Sequence, residues 1–298
     1  MKSNSIEIKN YIKNFSNEFD KEIINFIPKK RFFSNKLFSA MNYVLSVGGK
    51  RLRPIFLYEI SKLLGAKKKY SLRTAASIEF VHCYSLVHDD LPAMDNDDLR
   101  RGHKTCHKKF DDATAILVGD AFQSLAFEII ADKQTHPSSE IRCSLIYELA
   151  KSAGSNGMVN GQMLDLEAEN KKLNLDQILE LQKLKTGELF RFSCIAGCYL
   201  AEQKKKIEIF EKFSHNLGIA FQIRDDLLDV EGDQEKLGKK TNKDLNRGKQ
   251  TLISLLGIDE AKKKSKELID EAIDFLKPFG KDADRLKNLT YFIISRNK

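Results

Sequence analysis

The chain has 298 residues, 42% hydrophobic and 31% charged, a balance that supports a sizeable buried core and excludes a disordered or fibrous protein. Its net charge of +8 suits nucleic acid, an acidic membrane surface or anionic small molecules, although lysine runs such as GAKKKYS, EQKKKIE and EAKKKSKE read as solvated faces. No apolar stretch approaches the roughly 20 residues of a membrane span, the start MKSNSIEIKN has no apolar signal core, and five scattered cysteines form no CxxC pair, so the expected setting is cytoplasmic and reducing.

Helical periodicity dominates and nothing alternates cleanly as a strand, so the expected class is all-α, with residues 1–298 forming one domain. Helices are expected over about 6–26, 34–47 and 53–64. Between the second and third lies VGGKRLRP, where two glycines suit a helix end and Pro54 suits the first turn of the next helix. Lys50, Arg51 and Arg53 thereby arrive near a helix N-terminus, where backbone N–H groups and the dipole favour anions. On its own this is either a phosphate site or a capped helix followed by surface bases.

The next helix, SLRTAASIEFVHCYSLVHDD, runs into LPAMDNDDLRRG, so that Asp89, Asp90, Asp95, Asp97 and Asp98 crowd ahead of Arg100 and Arg101. Asp89 and Asp95 would fall on different faces of an unbroken helix. Pro92 disfavours helix at Leu91 and lets the chain turn Asp95 back toward Asp89. His82 lies two turns before Asp89 on the same face, as an ordinary core histidine or as part of the site. Further on, GHKTCHKKF resembles half of a zinc site in His103, Cys106 and His107, but no second half exists and a zinc reading is rejected.

Helices are then expected over about 111–131, 138–169, 174–200, 205–230, 258–276 and 282–296. Within 174–200, LQKLKTGELFRF carries Lys185, Thr186 and Gly187; a mid-helix glycine marks either close packing or a local break that frees a carbonyl near Lys185. FQIRDDLLDVEGD supplies Asp225, Asp226 and Asp229 in an apolar helix, with Asp225 and Asp229 on one face. Carboxylates so placed repel one another unless cations pair with them. Two such motifs, far apart in sequence, read as facing halves of an oxygen-only site for Mg²⁺ bound to a phosphate or diphosphate. Beside them, the phosphate reading of GGKRLRP becomes the better one.

Taken in order, GGKRLRP, HCYSLVHDDLPAMDNDDLRRG, GDAFQSLAF, NGMVNGQMLDLE, LKTGELFRF, FQIRDDLLDVEGD, LGKKTNKDLNRGKQT and YFIISRNK span nearly the whole chain. In them the sequence resembles the bacterial farnesyl diphosphate synthases of the trans-prenyltransferase (trans-isoprenyl diphosphate synthase) family. That resemblance implies a homodimeric bundle of long antiparallel helices around a central cavity with the acidic motifs at its mouth. It implies that Asp89, Asp95 and Asp225 are the principal magnesium ligands, helped by Asp90, Asp226 and Asp229. Arg100, Lys185, Lys239 and Lys249 would grip the allylic diphosphate, and Lys50, Arg53, His82 and Arg101 would hold isopentenyl diphosphate. Thr186, the Lys185 carbonyl and Gln222 would face the allylic cation, and Gln162 and Asp165 would belong to the cavity wall.

The same resemblance implies condensation of isopentenyl diphosphate with dimethylallyl diphosphate and then geranyl diphosphate. Tyr84 and Ser85 would set chain length at C15, with geranyl or geranylgeranyl diphosphate as the alternative products. Asn96 stands where the family motif commonly has Asp, with little effect expected on magnesium binding. Four rivals are weighed against this reading. A phosphohydrolase using His88, Asp89 and His82 leaves GGKRLRP and the second acidic motif idle. A terpene cyclase needs no second phosphate pocket, and neither a non-catalytic partner subunit nor a nucleic-acid binder needs two intact acidic clusters.

Overall fold

The computed structural model describes residues 2–28, 35–169, 171–231 and 251–296, and these are helical almost throughout. The order is α1 (Lys2–Ile23), α2 (Lys36–Ser46), α3 (Leu52–Leu63), α4 (Lys68–Asp89), the ribbon β1 (Leu99–Arg100) and β2 (His103–Lys104), then α5 (Cys106–Lys109), α6 (Asp112–Ala131), α7 (Ser139–Ala153) and α8 (Met158–Glu167). After these come α9 (Leu175–Gln182), a π turn over Lys183–Gly187, α10 (Glu188–Leu200), α11 (Ile207–Glu231), α12 (Leu252–Leu256), α13 (Ile258–Asp274) and α14 (Asp284–Ser295).

Two helices carry the centre. In α4 every residue from Thr74 to Val81 is buried, and the helix is packed by α3, α6 and α10. A helix enclosed on all sides has no reason to show a polar stripe. The second is α10, enclosed by α3, α4, α7 and α11; its Gly197 brings it against α3, where a Cβ would fall 2.8 Å from the Ile60 side chain. By contrast α1 lies at the edge and buries one stripe, Ile8, Ile12, Phe15, Phe19 and Ile23, at the three- and four-residue steps of one helix face.

Local signals explain most of the boundaries. Asp111 accepts from the Thr114 N–H at 2.7 Å to start α6, and Asn174 with Gln177 forms a capping box at the start of α9. The helix expected over 138–169 is instead two, because Gly154 and Gly157 take non-helical backbone angles between α7 and α8. At Gly157 a side chain would run into the Ser152 carbonyl, so the break leaves room only for glycine. The ribbon and α12 were also not expected.

One expectation about apolar segments is corrected. At 20 residues and mean hydropathy 1.4, α6 is long and apolar enough by length and composition to cross a membrane. Asp112, Asp120 and Glu128 interrupt it in the sequence, and half of it is buried in the fold against α4. Core helices of this kind pass the same test.

Candidate active site

The first acidic motif begins where α4 stops. Beyond it the chain turns back on itself: the Asp95 N–H donates to the Asp89 carbonyl at 2.8 Å and the Asp97 N–H to the Asp90 carbonyl at 3.2 Å. This is the return expected of Pro92. Asn96 sits in the turn at φ 50°, a left-handed conformation that asparagine tolerates better than most residues. Asp98 pairs with Lys108 at 3.0 Å and belongs to the loop.

The ribbon then distributes the two arginines. Its turn residues, Arg101 and Gly102, have φ of 54° and 78°, the double left-handed geometry of a tight hairpin. Arg100 reaches back to Asp90, donating through Nε at 2.8 Å and Nη2 at 2.5 Å. Burial pushes the Asp90 carboxyl up, with Arg100 opposing it. Arg101 goes the other way, to the Gly48 carbonyl; a Cβ at Gly49 would fall 2.7 Å from its guanidinium. The paired glycines therefore serve this close approach as well as ending α2.

Helix α8 and the π turn join the two acidic motifs. Gln162 donates to Asp89 at 2.6 Å, and one helical turn on, Asp165 accepts from Lys185 at 2.7 Å. Burial works against the Lys185 charge, but Asp89, Asp165 and then Asp95 outweigh it and push its pKa up. The turn carrying Lys185 is widened, since the Glu188 N–H bonds the Lys183 carbonyl five residues back. Gly161 of α8 packs directly on the Lys185 backbone, and a Cβ at Gly218 would fall 3.1 Å from Gly187 Cα. Of the two alternatives from the sequence, close packing is present, and in place of a break the helix runs on through a widened turn.

Across that turn lies the second motif. Thr186 donates to the Gln222 side-chain oxygen at 3.1 Å, and Gln222 in turn donates to Asp226 at 2.9 Å. Gln182 donates to the other Asp226 oxygen at 3.3 Å. Asp226 and Asp229 are buried, while Asp225 is about one-third exposed and pairs with Arg296 at 2.8 Å. Among the described residues no three carboxylate, histidine or cysteine side chains already converge tightly enough to hold an ion.

Lys50, Arg53, His82 and Arg101 come together as expected, lining one cavity of about 170 Å³ with Glu79, Phe221 and Arg296. Arg53 lies over the Phe190 ring at 4.7 Å, and its buried Nε has no protein partner. Burial lowers the Arg53 pKa to about 10 despite Glu79 and Asp225. Burial, then Arg53 and Arg101, hold the His82 imidazole well below its ordinary range, so it is neutral at pH 7. Arg51 also lines the cavity, but its guanidinium is engaged by Asp20 at 2.7 Å and by Glu79. The lining brings Lys50, Arg51, Arg53, Arg101 and Arg296 together with one carboxylate, Glu79.

A protein-family model described as polyprenyl synthetase matches residues 34–290. The chain belongs to the polyprenyl synthetase family.

Relatives of the family agree along almost the entire length. The chain is 43% identical to a farnesyl diphosphate synthase of Micrococcus luteus over 287 residues, covering 96% of this chain and 97% of that one. Among solved structures, an FPP/GFPP synthase from Zymomonas mobilis superposes with a TM-score of 0.88 at 39% identity, covering 97% and 99% of the two chains. A geranyltransferase from Helicobacter pylori, complexed with magnesium and isoprenyl diphosphate, gives a TM-score of 0.84 at 32% identity over 96% of each.

Some residues of this polyprenyl synthetase site lay beyond sequence reasoning. Arg296 donates to the Phe221 carbonyl at 3.1 Å, stacks 4.1 Å over that ring and reaches Asp225. Its sequence signal is its place in YFIISRNK, where nothing ties it to Asp225 or to the cavity. Glu79 looked like one more polar residue of α4. Conversely, Ser85 donates to the His82 carbonyl of its own helix at 2.8 Å, and Lys239 and Lys249 lie outside the described residues. His88, a metal ligand in the phosphohydrolase reading, places Nε2 3.0 Å from the Ile116 carbonyl of α6.

Proposed function

We propose that the protein is a farnesyl diphosphate synthase, joining isopentenyl diphosphate to dimethylallyl diphosphate and then to geranyl diphosphate to give (2E,6E)-farnesyl diphosphate. The observation that carries this reading is the basic cavity of Lys50, Arg53, His82 and Arg101 beside two acidic motifs linked through the Lys185–Thr186 turn. Two diphosphates need two kinds of holder. The cavity holds isopentenyl diphosphate by direct ion pairing; the acidic motifs hold the allylic diphosphate with magnesium.

The donors fit magnesium chemically, since Asp89, Asp95 and Asp225 offer only oxygen and leave the shell to be completed by water and phosphate. Asp90, Asp226 and Asp229 support them, Asp90 by orienting Arg100 and Asp226 through its two glutamine partners. When bound, magnesium supplies positive charge against the departing diphosphate. Lys185 and Arg100 add to that charge, with Lys239 and Lys249 in the same role. The Thr186 and Gln222 oxygens and the Lys185 carbonyl face the allylic carbon as its bond to oxygen breaks, and favour the developing cation. The isopentenyl double bond forms the new carbon–carbon bond, and the released diphosphate takes the final proton.

Tyr84, buried on α4, and Ser85 close the allylic cavity at C15 length. Geranyl and geranylgeranyl diphosphate synthases are the alternatives. Core packing that runs from α1 to α14 supports one domain, and five free cysteines support a reducing, cytoplasmic setting. Exposed Ile116 and Leu117 on α6 support a homodimer through that face.

The two-holder reading is tested by calorimetry. Isopentenyl diphosphate is expected to bind in excess EDTA, whereas dimethylallyl diphosphate binds only once magnesium is returned. Equal dependence of both ligands on magnesium contradicts it.

A further inference from the structure

His88 is adjacent to Asp89, yet its ring is directed at α6. It meets the ring of Tyr84, one helical turn earlier, edge to face with centroids 5.1 Å apart and planes at 87°. Its Nε2 lies 3.0 Å from the Ile116 carbonyl oxygen. A carbonyl can only accept, so Nε2 carries the proton in this contact. The imidazole occupies the space above Gly119 on α6, where any Cβ would collide with it. Three constraints therefore converge on one ring: an aromatic edge, a hydrogen bond into a helix backbone and a slot that requires glycine.

We propose that His88 is a positioning residue for product length, wedging Tyr84 against rotation toward α6. The inference rests on the reading of Tyr84 as the closed end of the allylic cavity. A growing prenyl chain presses on that end, and an aromatic ring resists only as far as its rotamer is held. Tyr84 is buried but can turn about its side-chain bonds into any space beside it. The imidazole fills that space, and the Ile116 carbonyl together with Gly119 keeps it there. Removing the imidazole lets Tyr84 swing aside, deepening the cavity so that a chain past C15 can be accommodated.

The test compares products made from isopentenyl and dimethylallyl diphosphates by Tyr84→Ala, His88→Ala, His88→Gln and Gly119→Ala proteins. His88→Ala is expected to raise the ratio of C20 to C15 product roughly tenfold, the shift that follows from about 1.4 kcal/mol in the competition between release and extension. KM for isopentenyl diphosphate should stay within about twofold, because His88 is not among the residues that line the basic cavity. Gln can still donate to the Ile116 carbonyl, so His88→Gln should return the ratio toward C15. Gly119→Ala, which displaces the imidazole from α6 without altering α4, should mimic His88→Ala. Circular dichroism confirms that each variant is folded.

A C15 product from folded His88→Ala protein overturns the inference when Tyr84→Ala lengthens the product. A C15 product from Tyr84→Ala overturns the reading of Tyr84 on which the inference stands. Equal lengthening by His88→Ala and His88→Gln also overturns it, since the hydrogen bond to α6 is then immaterial.

Discussion

Replacing Asp89 or Asp225 by alanine is expected to lower kcat by about 10³-fold, the effect of deleting one charged holder of a developing anion in a partly enclosed site. Each carboxylate has a partner that aims it: Gln162 at 2.6 Å for Asp89 and Arg296 at 2.8 Å for Asp225. Neither residue is in the hydrophobic core, so the variants should fold with unchanged circular dichroism. Asp89→Asn separates charge from shape, because its amide oxygen still accepts from Gln162. It should nevertheless fall nearly as far as Asp89→Ala. Activity within about tenfold of the unsubstituted protein in Asp89→Ala removes the first motif from the chemistry, since tenfold corresponds to only about 1.4 kcal/mol.

Arg53→Gln acts on the other substrate. The KM for isopentenyl diphosphate should rise roughly 10- to 100-fold, the loss of a charge-assisted contact worth about 1.5–3 kcal/mol, while KM for the allylic substrate moves little. The free protein should respond with the opposite sign. Lys50, Arg53, Arg101 and Arg296 line one small cavity with Glu79, and burial already lowers the Arg53 pKa to about 10. Removing one of these crowded cations relieves repulsion, so the melting temperature without substrate should hold or rise. A purely structural arginine would show the reverse, a lower melting temperature and an unaltered KM. Equal increases in both KM values would contradict a separate isopentenyl site.

Where a single local signal decided the structure, it was legible in advance. Pro92 turns the chain after Asp89, the glycine pair ends α2 ahead of the basic loop, and Gly187 sits where the helix both widens and packs closely. Helix existence was readable from apolar spacing along α1, α11 and α14. The break at Gly154–Gly157 does carry a sequence signal, the run GSNG of turn-forming residues with no apolar side chain, and the collision of a side chain at Gly157 with the Ser152 carbonyl shows why no other residue fits there. The hairpin at Arg101–Gly102 is too short for any alternation to register.

Partnerships across the fold were the other gap. Arg51 and Arg53 look equivalent in GGKRLRP, yet one is spent on Asp20 and Glu79 while the other faces the cavity with an unpartnered Nε. The difference comes from the positive φ of Arg51 at the start of α3, which no spacing rule reports. Arg296 closes the same cavity from the end of α14, a placement that exists only once α11 and α14 are packed. Asp90 and Arg100, both expected at the ligand, engage each other with a fork of hydrogen bonds. Such pairing keeps a costly buried carboxylate tolerable and fixes the guanidinium beside Asp89.

The most direct measurement is product analysis of the purified protein supplied with magnesium, dimethylallyl diphosphate and labelled isopentenyl diphosphate. Geranyl diphosphate should appear first and be drawn down as farnesyl diphosphate accumulates as the main product. Release of inorganic phosphate or a cyclic hydrocarbon without any longer prenyl diphosphate would contradict the assignment of the two diphosphate sites.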